Sequence, residues 1–123
     1  MKTAPEILKE YLLDLALEDL TYEEAQNEDM ARHAYEDIAA ESRQGEIETN
    51  IGGEYSRHYE SKSVAIHIQD FEGFTGWIGW TYWYGGGKHG YPHEIEWLPY
   101  AYFLDLVEEK EVVTVVRTFK MKE

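Results

Sequence analysis

The chain has 123 residues, no cysteine, 25 acidic side chains against 11 basic ones and a formal net charge of -14. Without cysteine there are no disulfides and no thiolate metal sites. The charge opposes a direct grip on nucleic acid or an anionic membrane, since both rely on Lys and Arg. A hydrophobic share of 43% suffices for one core, and no stretch approaches the roughly 20 apolar residues of a membrane span. A single soluble, cytoplasmic domain over residues 1–123 is therefore expected, helical over 1–45 and mainly β over 46–123.

Two helix starts are legible. Thr3-Ala4-Pro5-Glu6 sets a cap hydroxyl three residues before a glutamate, with proline in the first turn. The helix that follows is expected to reach about Leu20, to bury Ile7, Leu8, Tyr11, Leu12 and Leu15, and to carry Glu6, Glu10, Asp14 and Glu18 as an acidic stripe. Thr21-Tyr22-Glu23-Glu24 repeats the capping pattern and predicts a second helix from Tyr22 to about Arg43, stopped by Gly45. Its apolar row (Met30, Ala34, Ile38, with Ala31 and Tyr35 beside it) is thin.

Beyond Gly45 the period becomes two. Tyr55, Arg57 and Tyr59 alternate with polar residues, as do Val64, Ile66 and Ile68 with Ala65, His67 and Gln69. A turn at Ser61-Lys62 would join these runs as a hairpin, with Tyr59 opposite Val64, Tyr55 opposite Ile68, and His58 and His67 together on the other face. Asp70–Gly73 reads as a turn. Gly76–Tyr84 reads as a third strand, aromatic on both sides, either covered on each face or left open on one for a partner. A glycine-rich loop (85–92), a helical turn near Glu94–Leu98 and a last hairpin of Ala101–Val107 with Glu111–Phe119 complete the chain. The fold class is α+β: two N-terminal helices packed on a mostly antiparallel sheet of four to five strands.

Three constellations invite chemistry. The loop from Tyr84 to Trp97 holds Lys88, His89, His93 and Glu96. It fits neither phosphate-binding glycine motif, and Gly90 and Pro92 break the helix that His89-x-x-x-His93 would need as a zinc pair. A loop site of His89, His93 and Glu96, or acid–base work by His93 with Glu94 or Glu96, is the alternative to a solvated glycine turn. His33 lies four residues from both Asp29 and Asp37 and reads as a solvated histidine beside acids. Trp77, Trp80, Tyr82, Trp83 and Tyr84 are core residues or interface anchors. Ser42, Ser56, Ser61 and Ser63 have no flanking nucleophile motif, so no catalytic residue, metal or cofactor is expected, and a binding protein is favoured over an enzyme.

The acids are concentrated early. Glu10, Asp14, Glu18, Asp19, Glu23, Glu24, Glu28 and Asp29 lie between Lys9 and Arg32 with no base among them. Such a field attracts a basic protein surface and speeds its association. In its shortness, its lack of cysteine, this base-free stretch and its aromatic segment, the chain resembles the small acidic accessory proteins of phages and mobile elements. The resemblance is one of composition and carries over no functional residue. It implies an anti-defence role, in which carboxylates occupy the nucleic-acid-binding surface of a host nuclease or CRISPR-type effector. The leading expectation is thus a non-enzymatic acidic module that binds a basic, nucleic-acid-handling protein without touching nucleic acid or membrane. Glu10, Asp14, Glu18, Glu24 and Glu28 are its expected contact acids, and Trp77, Trp80 and Trp83 its anchors. One alternative is a small enzyme or a ligand- or metal-binding protein using the 84–97 loop. Another is a structural or assembly protein using the aromatic strand as its interface.

Overall fold

A computed structural model describes residues 2–52, 54–87, 90–107, 109 and 117–122. Helix α1 (Ala4–Glu18) starts where Thr3 turns extended and its hydroxyl accepts the Glu6 N–H at 3.4 Å. It buries Ala4, Ile7, Leu8, Leu12 and Ala16, a stripe of three- and four-residue steps. It stops two residues short of Leu20.

The long second helix expected from Tyr22 is in fact two: α2 (Tyr22–Gln26) and α3 (Glu28–Ser42). The break is Asn27, whose backbone leaves the helical region (ψ 114°) and whose side-chain oxygen accepts the N–H groups of Asp29 and Met30 at 3.0 and 3.2 Å. A short amide competes well for backbone donors. The acids add a second reason. Glu23 and Glu24 sit in the first turn of α2, and Glu28 and Asp29 in the first turn of α3. Two helix starts give all four carboxylates a favourable dipole end, where one long helix would offer it only to the first pair. Gly45 (φ +70°) ends the helical region, and a Cβ there would lie 2.8 Å from the Val64 Cβ.

Among the described residues four strands follow, β1 (Ile47–Glu48), β2 (Glu60–Phe71), β3 (Phe74–Tyr84) and β4 (Tyr102–Leu104), antiparallel and in that spatial order. The protein is α+β, with three α-helices among the described residues rather than two. The expected turn at Ser61-Lys62 does not exist: both residues lie inside β2, opposite Trp83 and Tyr82. Residues 54–59 are outside the strands, so the Tyr55–Ile68 and Tyr59–Val64 pairs and the His58–His67 face fall with it. The true reversal is at Glu72-Gly73, both at positive φ (47° and 82°), the geometry of a tight hairpin turn whose twist matches the strands. Asp70 (φ 52°) marks a register shift just before it, and its N–H donates to the Thr75 hydroxyl at 2.9 Å. In place of the helical turn near Glu94–Leu98 there are two 3-10 turns, Pro92–Glu94 and Leu98–Tyr100. Of the expected last strand, residues 111–116 lie outside the described residues, and 117–122 have no regular structure.

Register settles the two sheet faces. Val64 opposes Trp80 and Ile66 opposes Ile78; together with Ile68, Leu8, Leu12 and Ala101 they form the core beneath the helices. The alternate residues point the other way: Ile47 beside Ala65 and Gly79, then His67, Trp77 and Leu104. No helix of the described residues is long and apolar enough to cross a membrane.

Candidate functional site

The acids of the helices differ in how they are held. Glu10 is half-buried and takes the Lys2 ammonium at 2.6 Å; the same ammonium reaches Glu72 at 3.0 Å. Hydrogen bonding to Glu10, then to Glu72, raises the Lys2 pKa, and hydrogen bonding to Lys2 lowers that of Glu72. Glu24 closes a reciprocal capping box, accepting the Thr21 N–H at 3.1 Å while its own N–H donates to the Thr21 hydroxyl at 3.2 Å. The hydrogen bond from the Thr21 backbone, then that of its side chain, holds the Glu24 carboxyl below the usual range. Of the five expected contact acids, these two are committed within the fold.

Asp14, Glu18 and Glu28 are exposed and take no part in an ion pair among the described residues. Asp19, Glu23, Glu36, Asp37 and Glu41 are exposed on the same helical layer. The bases there are mostly engaged. Lys2 is paired, Arg32 sits 3.4 Å from Asp29, and Arg43 turns inward, donating to the Trp83 carbonyl at 2.9 Å with its guanidinium over the Tyr82 ring. Lys9 alone stays exposed without such a contact among the described residues. Leu13, Tyr22 and Met30 lie among these acids, with Tyr22 81% exposed. The composition does not single them out: Tyr22 looks like a first-turn residue of a long helix until the break at Asn27 isolates α2.

The three tryptophans part company. Trp80 is fully buried, its indole N–H donating to the Arg43 carbonyl at 2.8 Å and its ring 5.0 Å from that of Trp97. It satisfies a carbonyl at the end of α3 and fixes that helix to the sheet. Trp83 is 8% exposed. Both are packing residues. Trp77 is half-buried on the helix-free face, with its ring 4.9 Å from the His67 ring.

Compared with family models, curated proteins and solved structures, the chain matches none. Any functional reading therefore rests on these surfaces.

The glycine-rich loop offers less. Lys88 and His89 lie outside the described residues. His93 and Glu96 are exposed, and the Tyr91 ring meets that of His93 edge-on at 6.2 Å. Among the described residues no three of His, Asp and Glu could hold a metal ion. The Tyr59 hydroxyl accepts the Tyr91 N–H at 3.3 Å, and a Cβ on Gly86 (φ +85°) would meet the Tyr59 ring at 2.5 Å. Gly86 thus answers to a close approach as well as to its dihedral. His33 is exposed, and its expected neighbour Asp29 pairs with Arg32 instead.

Proposed function

We propose that the protein is a non-enzymatic binding module whose helical layer docks on a basic protein surface. The carrying observation is the state of the charges. Asp14, Glu18 and Glu28 are exposed outside any described ion pair, while Lys2, Arg32 and Arg43 are held by neighbouring groups. Exposed charges of this kind set orientation and association rate more than final affinity. The apolar part of such a contact falls to Tyr22, the most exposed aromatic of the layer, and to the exposed Leu13 and Met30. Nucleic-acid-handling proteins grip phosphates with Lys and Arg, so on such a surface the module acts as an inhibitor that occupies the place of the phosphates.

The test is affinity capture in the presence of nuclease, with the wild-type chain and a Asp14→Lys, Glu18→Lys, Glu28→Lys variant. The reading predicts stoichiometric capture of a basic protein, weakened by salt, lost in the variant and competed by an oligonucleotide. Capture that survives the triple reversal rules the helical layer out.

A further inference from the structure

We infer that the helix-free face of the sheet is a second binding site, for a cationic amphipathic segment of another protein. Antiparallel sheets commonly leave one face to solvent, and that face is then polar. Here it is apolar. A trough of about 680 Å³ crosses it, floored by Ala65 and walled by Ile47, Ile51, Trp77, Leu104 and Leu106. It adjoins a second hollow of about 530 Å³ at the hairpin end, and Trp77, Leu104 and Asp105 line both.

The shape follows from small residues at the centre of the sheet. Gly79 lies opposite Ala65, and a Cβ on Gly79 would meet Leu104 at 2.6 Å and Tyr102 at 2.9 Å. The β4 side chains therefore lean over the glycine, and Trp77 and Ile47 rise on either side. Ile47, Ile51 and Leu106 are each about half exposed, so the apolar wall faces solvent. Three inter-strand spacings separate β1 from β4, roughly 14 Å. One helix, or roughly four residues of extended chain, fits that width.

Charge selects the occupant. The ionisable groups lining the trough are Glu48 and Asp105, both acids and both exposed, and Lys2 of the adjoining hollow is held by Glu10 and Glu72. A second copy of the chain would bring another net charge of -14 to the same face, and an anionic lipid surface would be repelled likewise. A segment with apolar side chains in the trough and Lys or Arg at its margins satisfies both features. The trough has no residue of α1–α3 in its lining and does not depend on Asp14, Glu18 or Glu28, so the two readings fail separately.

The test uses the full chain, with a synthetic leucine/lysine amphipathic peptide and its leucine/glutamate counterpart as probes. NMR follows the indole N–H of Trp77, assigned through Trp77→Phe. The leucine/lysine peptide shifts that signal saturably, and Asp105→Lys with Leu106→Lys, both at exposed positions, weakens binding about tenfold or more. The Asp14→Lys, Glu18→Lys, Glu28→Lys variant still gives the Trp77 shift. Four results overturn the proposal: no shift at Trp77; equal binding of the leucine/glutamate peptide; a Trp77 already shielded from acrylamide by residues 108–123; or a dimer that Leu106→Lys dissolves, which would give the trough to a second copy.

Discussion

Asn27 divides the helical layer into α2 and α3. Its side chain serves two N–H groups at the start of α3, so Asn27→Ala is expected to cost about 1 kcal/mol of stability. Asn27→Gly, which keeps the cap conformation accessible, should cost only a few tenths of that unit. Urea denaturation of the two variants measures the difference. Trp80 has a comparable role at the other end of α3. Trp80→Phe leaves the Arg43 carbonyl without its donor and should destabilise by about 1–3 kcal/mol. Glu72 runs the opposite way. It holds φ +47° in a two-residue turn, a conformation that Asn adopts far more readily. Glu72→Asn should raise the denaturation midpoint despite losing the contact to Lys2, because an exposed ion pair contributes little. A lower midpoint would show that the Lys2 contact decides the turn.

How far each element can be read from sequence depends on how local its determinants are. Helix α1 is legible because its cap, its proline and its apolar steps all lie within the segment. Leu12 is fully buried as that pattern requires, and Leu12→Ala should cost about 2–5 kcal/mol. The β2–β3 hairpin is legible only in part. Asp70–Gly73 is marked as a reversal, yet Tyr55–Tyr59 alternates as cleanly as a strand. Alternation cannot choose between partners, and β2 gains more by pairing along its length with the aromatic β3 than by folding back on residues 54–59. The acidic surface is legible as composition. Which of its acids are engaged is not, because Lys2 meets Glu72 across seventy positions of sequence. The open sheet face is legible only as one alternative for the aromatic third strand, and its trough is not, since that arises from Ala65, Gly79 and Leu104 meeting in register. Helix–sheet packing also has a pH signature. Burial raises the Tyr35 pKa, and burial followed by the charges of Glu46, Glu18 and Asp14 raises that of Tyr11. A raised pKa favours the neutral phenol in the fold. That stability is complete below the unfolded value near 10 and is lost as pH rises through the folded values. Thermal unfolding should therefore fall steeply at alkaline pH, and more gently in Tyr11→Phe with Tyr35→Phe. An unchanged slope would show that neither phenol is linked to folding.

Taken whole, the molecule places charge and apolar surface on opposite sides of one sheet. Helices α1–α3 carry exposed carboxylates outward, and the far face carries Ile47, Trp77, Leu104 and Leu106 around its trough. Among the described residues its outer strands are short, two residues in β1 and three in β4. A net charge of -14 makes long-range attraction to a basic partner sensitive to ionic strength, whereas apolar contacts are much less so. The most direct test is the affinity of the captured basic protein for the wild-type chain and for the Asp14→Lys, Glu18→Lys, Glu28→Lys variant, each at low and moderate salt. Docking through the helical layer predicts that added salt weakens the wild type and that the triple reversal costs about tenfold or more in Kd. Equal affinity of the two chains at both salt concentrations would contradict it.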